Sequence, residues 1–395
     1  MRVTIINRLA GILWGGGETF DLETARALRR LGHDVRFVIG RRWSRLDLSL
    51  EEFPVTYVRT PYLRWIAYRG EASRSRRVRA LTSWALPIDR DLFERAAWRE
   101  ILQGDIALET DVFQLCALPR LGAWLRERTG IKAVIAWHGP PGPEVRKWND
   151  RCSGSFAFGD ALDAVRRHAD PQAENIPPGV DIDTFRPVRD GAAAGYEVDA
   201  ARSRALLRAQ YGLDGEAVVF AFSGRMIPIK NLPFLVESFR LAAAEDPRPV
   251  LALLGDGPSQ KDVLDQAGRA GLRSRILTPG RLTRDDLIRH YQMSDALIVS
   301  STYENFPMVT LEAMACGLPV IATRVGGLPQ QIDDGGDGIL VESGNVAELS
   351  SAIRRLAGAA EERKTMGRRG REKVVAHYNW QRTAERMVAF YDRLR

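Results

Sequence analysis

Glu304 and Glu312 lie eight positions apart, with Asn305, Phe306, Pro307, Met308 and Val309 between them. Residues 296–300 just before are an apolar strand pattern, which puts Glu304 in the loop after a strand. Glu312 falls in a helix expected to open near Pro307, because proline suits a first turn. Free backbone N–H groups at Met308 and Val309 would then face the carboxyl end of the sheet, where open α/β sheets bind anionic ligands. On spacing alone the glutamates read first as surface acids; the preceding strand turns the reading toward a ligand site. A second cluster follows another strand pattern: Ser223, Gly224, Arg225 and, five positions on, Lys230. Arginine offers a planar fork to phosphate oxygens and lysine a mobile point charge, so the two could hold a diphosphate; two solvated cations are the alternative. Gly15, Gly16, Gly17 and Glu18 come between the first strand and first helix, where glycine lets backbone approach a ligand. They form neither a dinucleotide fingerprint nor a P-loop, and a plain tight turn remains open. His138 ends the apolar run 133–137, again at a carboxyl edge, and reads as a ligand contact or a structural histidine.

These residues need elements to carry them. Residues 3–6, a glycine-rich loop at 11–17, a helix at 19–31 ended by Gly32 and a strand at 35–39 make a βαβ unit, hence a parallel sheet. A second series has strands at 218–222, 250–254, 275–278, 296–300, 320–323 and 338–341. Its helices fall at 232–244, 287–293, 309–316 and 346–356. Prolines and glycine at 176–181 mark the boundary, so the expected domains are 1–176 and 177–379. Residues 190–199 read as a tolerant surface loop. The chain of 395 residues has length for two domains, and 45% hydrophobic residues exclude wholesale disorder. Three cysteines (Cys116, Cys152, Cys316) build no disulfide framework and no Cys-x-x-Cys zinc pair, which fits a reducing compartment. The residues show no signal-peptide core and no apolar stretch of about 20 residues, so a cytoplasmic protein is expected, with docking at the inner face of the cell membrane as an option. The net charge of +7 permits an anionic partner without choosing one.

Taken in order along the chain, these motifs resemble the retaining glycosyltransferase family 4, of the GT-B fold. The resemblance rests on Gly15 to Glu18, Gly32-His33-Asp34-Val35, His138, Pro178 to Asp181 with Phe185, Gly224-Arg225 with Lys230, Gly255 and Gly257, and the pair Glu304 and Glu312. It implies two Rossmann-like α/β domains facing each other across a cleft, with the last helix (380–395) returning to the N-terminal domain. It implies that Arg225 and Lys230, with Gly224, bind the diphosphate of a nucleotide-sugar donor. Glu312 would bond the ribose, and Glu304 the sugar hydroxyls, with backbone N–H groups from Asn305, Phe306, Met308 and Val309 around Pro307. His138 would contact the sugar near the reacting centre, and Gly16 and Gly17 would approach donor or acceptor from the other domain. His138, Arg225, Lys230 and Glu304 are thus the expected catalytic set. The resemblance further implies retention of configuration, no cofactor and no metal. Asp181-x-Asp183 and Asp89-x-Asp91 match a metal-site pattern formally and read as chance. Pro178, Gln330 and Gly139 depart from the family's usual residues, which leaves the donor open.

The acceptor, a glycan, a lipid-linked sugar or a small molecule, would belong to the N-terminal domain. There Arg64, Arg69, Arg74, Arg76, Arg77 and Arg79 face one acid, Glu71, with Trp65, Tyr68 and Trp84 interleaved. This segment reads either as a surface for anionic lipid or as a solvated face. No nucleic-acid motif accompanies the charge, so nucleic acid is not an expected partner. A catalytically silent binding protein of the same fold is the competing reading, as is, more remotely, a Rossmann oxidoreductase, whose fingerprint is missing.

Overall fold

The structure, a computed structural model, describes residues 1–10, 16–41, 50–60, 85–188 and 196–394. Gly15 and the arginine-rich stretch 64–79, with Trp84, lie outside them. The chain divides into two compact units, Met1–Pro177 together with Trp380–Arg395, and Pro178–Asn379.

The first unit is built on β1 (Arg2–Asn7), α1 (Gly16–Arg30), β2 (Asp34–Arg41), β3 (Val55–Arg59), α2 (Ala85–Gln103), β4 (Val112–Cys116), α3 (Pro119–Thr129), β5 (Lys132–Trp137), β6 (Gly154–Ala157), α4 (Asp160–His168) and β7 (Glu174–Asn175). Its seven strands pair in parallel in the order β3-β2-β1-β4-β5-β6-β7. The strand order reverses between β1 and β4, the position at which such sheets open a crevice at their carboxyl ends. Strands of this kind are covered on both faces and read as continuous apolar runs; residues 133–137 are all buried for that reason. Helix α1 buries Phe20, Leu22, Ala25, Ala27 and Leu28 on one stripe. Burying Phe20 alone contributes about 2–3 kcal/mol.

The second unit carries α5 (Tyr196–Gln210), β8 (Val218–Ser223), α6 (Leu232–Glu245), β9 (Pro249–Leu254), α7 (Gln260–Arg269), β10 (Ile276–Gly280), α8 (Arg284–Met293), β11 (Ala296–Val299), α9 (Met308–Ala315), β12 (Val320–Thr323), β13 (Gly338–Val341), α10 (Val346–Gly358) and α11 (Ala360–His377). Six parallel strands run in the order β10-β9-β8-β11-β12-β13, so the reversal here lies between β8 and β11. The last helix, α12 (Trp380–Arg393), belongs to the first unit, where Trp380 lies edge-on to Phe20 and Phe390 meets Phe156.

Three expectations change. Gly16 and Gly17 are the first residues of α1 rather than loop. Helix α5 begins at Tyr196, inside the stretch expected as a surface loop; it is anchored by Arg204 and Arg208, which bond the carbonyls of Gln292, Ser294 and Met293 and the Asp295 carboxylate. Helix α11 was not anticipated, because its charged sequence buries only Met366, Gly367, Gly370 and Val374. Its Arg371 bonds the carbonyls of Ile182, Phe185 and Ala315, tying the start of the second unit to the end of α9. Among the described residues no helix is long and apolar enough to cross a membrane.

Candidate functional site

In the second unit the loops after β8 and β9 touch backbone to backbone. A Cβ on Gly255 would lie 2.2 Å from the Gly224 carbonyl oxygen, and the Met226 N–H donates to the Asp256 carbonyl at 2.6 Å. The first loop then makes one 3-10 turn, Pro228–Lys230, which delivers Lys230 to the switch point. There Lys230 Nζ meets Glu304 Oε1 at 2.5 Å, and Ser301 Oγ donates to the same oxygen at 2.6 Å. Ser300 Oγ donates to the Lys230 carbonyl at 2.8 Å, and the Thr302 N–H to the Ile229 carbonyl at 2.8 Å, so the loops after β8 and β11 are fastened to each other. The pair is mostly shielded, with 19% and 12% of the two side chains exposed. It is therefore held more firmly than a surface ion pair. Arg225 is exposed on the same loop.

Helix α9 starts at Met308, with Pro307 as its N-cap residue in extended conformation. Asn305, Met308 and Val309 keep part of their surface open, whereas Phe306 is buried against the Tyr378 ring. Phe306 thus holds the loop in place through its side chain, and only its backbone is left for a ligand. Glu312, on the second turn, accepts a hydrogen bond from the Tyr291 hydroxyl at 3.1 Å. It retains some open surface, yet loss of hydration pushes its carboxyl up to about 7, against the pull of Tyr291 and Arg284.

In the first unit His138 follows β5 at the carboxyl edge. A Cβ on Gly17 would fall 2.6 Å from His138 Nδ1, so the glycine clears room for the imidazole. Phe20 and Phe158 flank the ring at 5.2 and 5.9 Å. Burial pushes His138 down to about 4, with Glu18 pulling the other way. Asp21 is fully buried on α1, and burial pushes its carboxyl up to about 7 against the amide donors of Asn7 and Gln114. The residue reading missed Asp21, Gln114 and Tyr391. The available signal was a carboxylate inside the apolar stripe of α1 and an amide inside the apolar strand β4.

Asp21, Cys116 and His138 are the group of described residues whose ligand atoms come close enough for a metal, within 4.8 Å of one another. The sulfur faces Nδ1 and the carboxylate faces Nε2, on opposite nitrogens of one ring. Both Asp21 oxygens also accept amide hydrogens, so the group fits a hydrogen-bond network better than a metal cage. In the two Asp-x-Asp matches, three of the four carboxylates already have side-chain partners, and Asp183 is exposed. Asp181 binds Thr184 and Arg284, Asp89 pairs with Arg8, and Asp91 with Arg95 and Arg120.

Anabaena Alr3699/HepE, solved in complex with UDP, superposes on the whole of this chain and over its own full length, with a TM-score of 0.76 and 19% identity. A glycosyltransferase from Rickettsia africae gives 0.75 at 16% identity, covering 99% of this chain and 97% of its own. The chain has the GT-B fold. Residues 203–373 of this GT-B chain match the family of glycosyl transferases group 1, a segment inside the second unit that contains Arg225, Lys230, Glu304 and Glu312. The D-inositol 3-phosphate glycosyltransferase of Saccharomonospora viridis is 34% identical over 242 residues, 58% of this chain and 50% of the relative. The enzyme of that name from Mycobacterium sp. (strain JLS) is 37% identical over 193 residues, 47% of this chain and 40% of the relative. The chain spans about half the length of the curated relatives it matches.

Proposed function

We propose that the protein is a retaining glycosyltransferase that moves a sugar from a nucleoside-diphosphate sugar to a glycan, a lipid-linked sugar or a small molecule, in bacterial polysaccharide or glycoconjugate synthesis. The observation that carries this reading is the Lys230–Glu304 pair, braced by Ser301 at the β8/β11 switch point inside the family-matched segment. Lys230 and Arg225 would neutralise the charge that develops on the leaving diphosphate, which lowers the barrier most when the cation is already in place. Glu304 and Glu312 would accept hydrogen bonds from sugar and ribose hydroxyls, and the first turn of α9 would offer backbone N–H groups to phosphate or sugar oxygens. No carboxylate is nominated as a covalent nucleophile, so the reading includes same-face attack assisted by the leaving phosphate. The cations that replace a metal in this scheme are Arg225 and Lys230, so transfer should survive chelator.

The test is a panel of UDP-, GDP-, ADP- and dTDP-sugars with chelator present. The relatives' name makes a phosphorylated cyclic polyol the first small-molecule acceptor to try. One donor class should raise the melting temperature and release its nucleoside diphosphate, with the product anomer matching the donor. No stabilisation and no release with any donor would refute the reading. Peripheral contact of residues 64–79 with anionic membrane is tested separately, by co-sedimentation with anionic vesicles at low and high salt.

A further inference from the structure

Asp21 is surrounded by hydrogens of fixed direction. Asn7 Nδ2 donates to one carboxylate oxygen at 2.7 Å and Gln114 Nε2 to the other at 3.1 Å. The Gln114 amide is kept from turning over, because its oxygen accepts the Tyr391 hydroxyl at 2.5 Å. Residues from β1, α1, β4 and the terminal helix α12 therefore converge on one carboxylate. His138 turns Nε2 toward the oxygen that Gln114 also holds, 3.8 Å away, and turns Nδ1 toward Cys116 Sγ at 3.4 Å. A lone pair on Nε2 would lie near a carboxylate and be repelled, whereas the positive hydrogen of an N–H there is attracted to it. The lone pair left on Nδ1 can then accept the Cys116 thiol hydrogen.

We propose that Asp21 is a positioning residue that holds His138 as the neutral Nε2–H tautomer, with its ring edge fixed against Gly17 and Cys116. The burial that lowers the histidine's affinity for a second proton keeps the ring neutral. The value of such a fixed ring to sugar transfer rests on the proposed function; its tautomer does not.

Protein labelled with ¹⁵N-histidine carries five histidines, and loss of one signal in His138→Phe identifies the one of interest. At about pH 7.5 the wild-type signal should show a protonated Nε2 and an unprotonated Nδ1. Asp21→Asn keeps the volume but offers one acceptor where two amides donate. It should give mixed tautomers and lower kcat about tenfold, with the donor KM within about twofold, because the proposed contacts to the donor's diphosphate and ribose belong to the second unit. Tyr391→Phe frees Gln114 to rotate and should move the tautomer the same way by less; being nearly isosteric, it decides the matter if Asp21→Asn does not fold. A wild-type Nδ1–H tautomer, or an unchanged tautomer in both variants, overturns the proposal. So does a shift of the His138 signal on adding one equivalent of zinc, which would make the cluster a metal centre. If the wild type transfers no sugar, the transfer reading fails while the histidine signals still decide the role of Asp21.

Discussion

Lys230 and Glu304 neutralise each other at 2.5 Å, and that pairing sets what their removal does. Truncating either one leaves a mostly shielded opposite charge, which destabilises the local loop and removes a proposed donor contact together. Lys230→Ala should lower kcat/KM for sugar transfer about 10²–10³-fold while circular dichroism stays unchanged, the range seen when one charge-stabilising donor is lost. Full activity in both Lys230→Ala and Glu304→Ala would remove these residues from the mechanism. Glu312 makes a different prediction. Its carboxyl titrates near 7 in the folded protein against a usual 4.5, so the folded state keeps a proton that the unfolded state has lost between those values. Stability contributed at low pH is therefore lost as pH rises from about 4.5 to 7. Glu312→Gln should match the wild type at about pH 4.5 and exceed it by at most about 3 kcal/mol at pH 8, measured by denaturant midpoints, while donor binding weakens. A constant gap between the two pH values would show that the carboxyl is not perturbed. These charged groups were legible because each falls just after an apolar strand or on the first helix beyond it. Asp21 was not, since its partner Gln114 lies 93 positions away and is itself held by Tyr391, 277 positions further on, so only the fold brings the three together.

At the scale of elements, the N-terminus of α1 separates two neighbouring glycines with opposite surroundings. An added Cβ at Gly16 meets nothing within 4 Å, whereas one at Gly17 meets the His138 ring. Gly16→Ala should be neutral or stabilise by up to about 1 kcal/mol, through helix propensity and a less flexible unfolded chain. Gly17→Ala should destabilise by about 1–3 kcal/mol, because the imidazole must leave its place. Thermal melts of the two variants check both signs, and equal shifts would show that His138 yields freely. The sequence pattern presented this stretch as a glycine loop, since glycine suits turns as well as close packing and only the neighbour decides which. Strands 320–323 and 338–341 were legible to the residue, because buried parallel strands are apolar throughout and end where polarity returns. Helix α11 was illegible for the converse reason: a helix held by Arg371 reaching carbonyls leaves little hydrophobic period.

For the whole molecule, a net charge of +7 attracts anions without saying where. The two units answer differently. The switch point of the second gathers Lys230, Glu304 and the opened end of α9, while that of the first gathers buried polar groups, Asp21 and Gln114, around His138. A nucleoside diphosphate should therefore bind chiefly through the second unit. Hydrogen exchange in its presence should slow most over residues 224–231 and 302–313, since ordering a ligand against these loops suppresses their local opening. Raising salt should weaken the effect, because part of the binding is charge pairing at a partly open site. Protection centred on residues 16–21 or 138–140 would place the diphosphate in the first unit and reverse the division of labour between the two sheets. The same measurement on Lys230→Ala separates charge from shape: protection should fall over residues 224–231 and persist near Glu312, whose proposed contact is to the ribose rather than to phosphate.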